Sequence, residues 1–296
     1  MPDAQAPHGG EQQPGFPGEG GQVPYDNGGR AAHGAQERAQ AQERPQPQAR
    51  PQAQARPEAQ VQERPQAQTQ LSPDDRPVIS PEGLPGWLEP VLRAAETVEP
   101  LQLSRFLPPS DGGGRQSAVL ILFGEGEHGP ELLLMERAGS LRSHAGQPAF
   151  PGGALDPEDG DPATDGPLRA ALREAQEETG LEPGGVQLFG VLPKLYIPVS
   201  GFVVTPVLGW WRDPSPVGAV DPNETARVFT VPVADLTDPA NRATALHPSG
   251  HKGPAFLVES TLVWGFTAGV IDRLLHYAGW ERPWDRTKQV PLDRRA

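Results

Sequence analysis

Apolar residues are spread very unevenly along the chain. From Met1 to Gln70 the only large apolar residues besides Met1 are Phe16, Val23, Tyr25 and Val61, and no strand or helix period can be traced through them. Beyond about residue 77 the pattern becomes that of a folded domain. Ala118–Phe123 (AVLILF) is a short unbroken apolar run, which predicts a strand buried on both faces. Glu131–Arg137 (ELLLMER) predicts its partner, and GEGEHGP between them predicts a hairpin turn. Further strands are predicted at Val186–Leu192, Phe202–Trp210 and Arg227–Val231. Helices are predicted in the second half of Pro81–Glu96, over Leu168–Thr179, and over Thr267–Tyr277, where Val270, Ile271, Leu274 and Leu275 share one side. Thr164, Asp165 and Pro167 are start signals for the middle helix and Gly180 is its stop. Strands and helices together imply an α/β (α+β) fold: a disordered tail over residues 1–76, then one domain over residues 77–296.

Composition sharpens this division. The tail repeats with a period of six, AQERAQ, AQERPQ, PQARPQ, AQARPE, so that Arg38, Arg44, Arg50 and Arg56 recur, the last three directly before proline. A solenoid needs apolar residues to stack and backbone donors to pair, and this repeat offers few of either. It reads as a solvated, partly extended spacer, or as a dock for an unidentified partner through its arginines. Ten acids and seven arginines fall within residues 1–76, so −10 of the net charge of −13 belongs to the domain. That balance argues against nucleic-acid partners, which require phosphate neutralisation. No apolar run is long enough to span a bilayer and the first residues do not form a secretory signal, so no membrane partner is expected and cytoplasmic is the expected location. The chain has no cysteine, which excludes disulfides and thiolate metal sites. The oligomeric state is open, a homodimer included.

Candidate chemistry centres on Arg173–Leu181, REAQEETGL. On a helical wheel Leu168, Ala171, Leu172, Ala175 and Thr179 form a core stripe. Glu174, Glu177 and Glu178 fall in an adjacent arc about 100° wide, with Arg173 at i, i+4 from Glu177. A solvated acidic face would explain glutamates on a helix. However, Glu174 and Glu178 are like charges at i, i+4, which costs a few tenths of a kcal/mol, and they border the core stripe rather than oppose it. Carboxylates drawn into a cleft need a cation, and hard oxygen ligands suit Mg²⁺ or Mn²⁺. The preceding Phe150-Pro151-Gly152-Gly153 allows close backbone approach to a ligand. Gly124, Gly126 and Gly129 spell a dinucleotide-binding G-x-G-x-x-G, but a strand follows instead of a helix, so that reading is rejected.

Gly153, Arg173-Glu174 and Glu177-Glu178-x-Gly180-Leu181 resemble the signature of the Nudix hydrolases. The resemblance implies a mixed β-sheet sandwiched between helices and hydrolysis of a diphosphate linked to another moiety, with Mg²⁺ or Mn²⁺. The family pattern places an acid six residues after the glycine and an arginine eight later. Here Glu158 follows Gly152, or Asp159 follows Gly153, at that first spacing, and Arg173 comes 15 or 14 positions later, so the loop is several residues longer. Upstream, LLMERAGSLRSHAGQPAFPGG is similar to the element marking coenzyme A pyrophosphatases within the family, with Arg137, Arg142, Gly146 and Phe150 at the expected spacing. VTPVLGWW and VWGFTAGVIDRLL resemble that subfamily's central strand and terminal helix, and the likeness spans roughly 115–278.

The resemblance assigns roles residue by residue. Glu174, Glu177, Glu178 and the Gly153 carbonyl would hold metal. Arg137 and Arg142, with Gly146 and Phe150, would bind substrate. Arg173 would orient Glu177, and Glu224 or Glu177 would take the proton from the attacking water. The substrate would be coenzyme A or a derivative, cut to 3′,5′-ADP and 4′-phosphopantetheine. The alternatives are another diphosphate such as ADP-ribose, or a nucleotide-sensing module without catalysis.

Overall fold

The computed structural model describes residues 76–139 and 146–292. The expected tail, apart from Arg76, lies outside the described residues, as does Arg142. The elements in chain order are α1 (Glu89–Thr97), α2 (Pro100–Leu103), β1 (Arg115–Gly126), β2 (Gly129–Arg137), β3 (Pro148–Ala149) and β4 (Gly152–Ala154). Then come α3 (Gly166–Thr179), β5 (Val186–Val191), β6 (Leu195–Ile197), β7 (Phe202–Trp211), β8 (Thr225–Pro232) and α4 (Val233–Thr237). The last are β9 (Arg242–Leu246), β10 (Lys252–Val258), β11 (Thr261–Val263), α5 (Gly265–Tyr277) and β12 (Gln289–Pro291).

The apolar run in β1 makes it a central strand. It pairs in parallel with β7, from Arg115↔Phe202 to Phe123↔Trp210, and antiparallel with β2 and β4. The main sheet runs β3-β2-β1-β7-β5, with β8 on β2 and β6 on β7. Because β1 is covered on both faces, its alternate residues enter two different cores. Ala118, Leu120 and Leu122 pack with Leu168, Ala171, Leu172 and Ala175 of α3. Ile121 and Phe123 face the other way, into a larger core with α1, α5 and the second sheet. The sheet is mixed and lies between helices, as the family resemblance implies. The G-x-G-x-x-G stretch is the β1–β2 hairpin, Gly126 pairing with Gly129.

The second sheet was not predicted from the sequence. It runs β11-β10-β9-β12, with β12 parallel to β9. Its strands are short and carry Pro254, Gly253 and several alanines, so no clear period marks them. The two long helices also begin earlier than predicted: α3 at Gly166 and α5 at Gly265, two residues before the expected Leu168 and Thr267. At the start of α3 the Gly166 N–H bonds the Asp161 carbonyl, and Asp165 makes no side-chain cap. The helix stops where expected, with Gly180 left-handed at φ 70°. Among the described residues no helix is long and apolar enough to cross a membrane.

Candidate active site

Three pieces of backbone meet at the site: the end of β2, the turn from Phe150 to Ala154, and the exposed edge of α3. The core stripe of α3 is buried as the wheel predicts, which holds the adjacent glutamates at the rim of the sheet. Gly152 and Gly153 in β4 lie against β1, paired with Val119 and Ala118. Gly152 has no room for a side chain, and at Gly153 a side chain would displace the end of Glu174. A Cβ on Gly152 would sit 2.4 Å from the Ala118 carbonyl oxygen, and one on Gly153 would sit 2.3 Å from Glu174 Oε1. Glu174 therefore lies directly over the Gly153 backbone, and the Gly152 N–H donates to Glu178 Oε2 at 2.9 Å.

The three glutamates are not equivalent. The side chains of Glu174 and Glu178 are 18% and 11% exposed, whereas Glu177 is 58% exposed. Burial pushes the Glu178 carboxyl up to about 7. The Gly152 N–H and Arg137 oppose that rise, while Glu174 and Glu224 add to it. Glu174 is also raised, first by burial, with Arg173 opposing.

Arg173 organises the acids around it. Its Nε and Nη2 donate to Asp159 Oδ1 and Oδ2 at 3.1 and 2.9 Å, and Nη2 also donates to the Ala154 carbonyl at 3.1 Å. Its Nη1 reaches Glu174 Oε1 and Glu177 Oε2, both at 3.0 Å. This bidentate bond to Asp159 is the main reason the guanidinium is raised above its ordinary value. The loop acid is thereby distinguished: Asp159 is buried beneath Arg173, while Glu158 is exposed.

Arg137 ends β2 with its side chain on the α3 side of the sheet. Its Nη1 lies 3.9 Å from Glu178 Oε1, and its buried Nε has no hydrogen-bond partner among the described residues. Its backbone pairs with residues 146 and 147: the Arg137 N–H donates to the Gln147 carbonyl, and the Arg137 carbonyl accepts from the Gly146 N–H. Gly146 is left-handed at φ 69°, a conformation this turn requires. Glu224 is exposed, and its carbonyl accepts from the Ala138 N–H at 2.8 Å, which fixes it beside the end of β2.

Phe150 departs from its expected place. It is 3% exposed and packs in the larger core, so it anchors the turn before Gly152 and presents no face to a substrate. Sequence reasoning also missed Asp156, whose carboxylate lies 3.5 Å from Arg173 Nη2 and whose N–H donates to Asp159 Oδ2. The Asp-x-x-Asp spacing of a reciprocal cap was the available signal.

The donors suit a hard divalent ion: buried carboxylates beside a close-approach backbone carbonyl, with no sulfur or imidazole. In the present arrangement Glu174 and Glu177 turn to Arg173 and Glu178 turns to Gly152. Among the described residues no three acidic or histidine side chains close around one point. Two partly buried carboxylates pushed upward by desolvation are groups that a cation would relieve.

A sequence model described as the NUDIX domain matches residues 114–249. An uncharacterized Nudix hydrolase, NudL, of Cronobacter sakazakii is 39% identical over 201 residues, covering 62% of this chain and 98% of the relative. The chain belongs to the Nudix hydrolases. The NudL protein of Escherichia coli K12, also described as uncharacterized, is 40% identical over 167 residues, covering 54% of this chain and 81% of that one. Among solved structures, a Nudix hydrolase from M. smegmatis, RenU, is 19% identical with a TM-score of 0.37, covering 59% of this chain and 95% of its own. Nudix pyrophosphohydrolases act on small-molecule diphosphates and typically use a divalent metal, in keeping with the carboxylates on α3.

Proposed function

We propose that this Nudix protein hydrolyses the diphosphate of coenzyme A or a close derivative, with Mg²⁺ or Mn²⁺, to 3′,5′-ADP and 4′-phosphopantetheine. The observation that carries the reading is Arg137. It belongs to the stretch similar to the coenzyme A pyrophosphatase element, and it stands 3.9 Å from the largely buried Glu178 carboxylate with a buried Nε that has no hydrogen-bond partner among the described residues. A guanidinium in that position suits a diphosphate oxygen, to which it can offer two parallel donors.

Water attacks one phosphorus, the bridging P–O bond breaks, and the leaving oxygen departs on the second phosphate, giving two phosphomonoesters. A divalent ion, when bound, lowers the pKa of the attacking water and neutralises charge on the leaving oxygen. Glu174, Glu178 and the Gly153 carbonyl would hold it, with Glu177 completing the set. Arg173 fixes the side chains of Glu174 and Glu177 by donating to both. Glu177 and Glu224 are the exposed acids of the group, able to take the proton from the attacking water and pass it to solvent. Arg137 and Arg142 would grip the diphosphate. The N-terminal tail is proposed as a separate spacer, with the catalytic domain beginning near residue 77.

The test is direct. Purified protein is incubated with coenzyme A and Mg²⁺, then with Mn²⁺, and the products are separated by mass. Appearance of 3′,5′-ADP with 4′-phosphopantetheine is expected. Faster cleavage of ADP-ribose than of coenzyme A would overturn the substrate assignment, and tight binding with no product would overturn catalysis.

A further inference from the structure

The loop between Asp159 and α3 is longer than the family pattern and is poor in apolar anchors. Asp161–Thr164 are all exposed. Most of its hydrogen bonds are local: the Asp161 carbonyl accepts from the Thr164 and Gly166 N–H groups, Asp161 Oδ1 accepts from the Ala163 N–H, and Asp165 pairs with Arg169. One bond reaches it from a distant part of the chain. Lys194, in the connection between β5 and β6, donates from Nζ to the Pro162 carbonyl at 3.0 Å. The same ammonium donates to Gln116 Oε1 at 3.3 Å, and the Gln116 backbone carbonyl accepts the Leu155 N–H. Lys194 is half-buried, and its two partners in the structure are neutral oxygens, in a domain with a strong excess of acids.

We infer that Lys194 is a positioning residue for the metal carboxylates, acting through the long loop. This inference rests on the reading that Glu174, Glu177 and Glu178 hold the metal. Pro162 lies three residues from Asp159, and Asp159 takes the Nε–Nη2 edge of Arg173. While that edge is held, Nη1 alone faces Glu174 and Glu177. If the loop is released, Asp159 keeps the bonds of its own turn with Asp156 but loses the outer tie at Pro162, and its hold on the guanidinium loosens. Arg173 can then turn more of its donors onto the two glutamates and compete with a cation for them. An ammonium suits this task because it has three donors and can bridge a loop carbonyl and a strand side chain together. Clamping a long, apolar-poor loop also offsets the entropy of ordering it.

The test measures Mn²⁺ binding to the substrate-free protein, by loss of the free-ion electron paramagnetic signal. Lys194→Met is expected to weaken Mn²⁺ affinity about five- to tenfold, with Lys194→Arg within about twofold of wild type. Thermal stability in EDTA should stay close to wild type for both. Gln116→Leu, which removes one of the two partners, should shift affinity in the same direction by less, and it serves if Lys194→Met fails to fold. Mn²⁺ affinity within twofold of wild type in Lys194→Met, or in Gln116→Leu where it must serve, would overturn the inference. Glu178→Gln is run alongside: unchanged Mn²⁺ affinity there would sink the metal-site reading itself, which separates the two failures.

Discussion

At Glu178 the proposed metal-binding role and stability pull in opposite directions. Its carboxyl is raised from 4.5 to about 7, mainly by burial. A raised folded-state value means that the native state holds its proton more tightly than the unfolded chain does. The resulting stability is fully present below about pH 4.5 and is lost as pH rises through about 7. Above pH 7 the metal-free protein carries an ionised, poorly solvated carboxylate. In EDTA at pH 8, Glu178→Gln should therefore melt a few degrees higher than wild type, and the gap should shrink by pH 5. Mg²⁺ should raise the melting temperature of wild type at pH 8 and that of the variant much less, while the variant loses nearly all turnover. Equal melting temperatures in EDTA at pH 8 would show that Glu178 is better solvated than its burial indicates.

At the scale of elements, the site depends on how closely β4 approaches α3. Gly153→Ala adds one methyl, which would meet Glu174 Oε1 at 2.3 Å, so either the glutamate or the strand must move. Because β4 is pinned to β1 at Ala118 and Val119, we expect Glu174 to be displaced. Turnover should fall by a hundredfold or more, since misplacement of a catalytic group by about 1 Å costs on that order, while circular dichroism stays native. Near-normal turnover would mean that Glu174 does not need to lie over Gly153. This element was legible in advance because glycine, arginine and glutamate at fixed offsets record a steric and electrostatic requirement. The strands β1, β2, β5, β7 and β8 were legible from short stretches rich in apolar residues. The second sheet was not, because β9 buries two alanines and an arginine, β10 opens on Lys252-Gly253-Pro254, and neither strand alternates. The burial of Phe150 was missed because a motif fixes spacing along the chain but not which way a side chain turns. Asp159 could be separated from Glu158 only once the folded loop placed one of them under Arg173.

At the scale of the whole molecule, the second sheet is fastened to α5 by a buried ion pair. Arg242 in β9 and Asp272 in α5 are 1% and 3% exposed and form a salt bridge, and Asp272 also binds Arg273. The Arg242 guanidinium stacks between Phe256 and Trp284, 4.4 and 4.6 Å from their ring centroids, which joins β9, β10 and the segment after α5. Its Nε and Nη1 have no hydrogen-bond partner among the described residues, so Asp272 is its principal compensation. Desolvation accordingly lowers the Arg242 value, and Asp272 opposes it. Removing one partner of a buried pair costs more than the pair contributes, because the other charge stays behind, at about 3–5 kcal/mol. Asp272→Asn should therefore lower the unfolding free energy by about 3 kcal/mol or more. Its active fraction at low temperature should keep wild-type kcat and KM, because neither residue touches the α3 carboxylates. Arg242→Met with Asp272→Leu removes both charges and should recover much of the loss, as replacement of buried pairs by apolar residues often does. Denaturant unfolding of the three proteins distinguishes the cases. A double variant as unstable as Asp272→Asn would show that the pair, and not the stranded guanidinium, is what holds the second sheet to the helix.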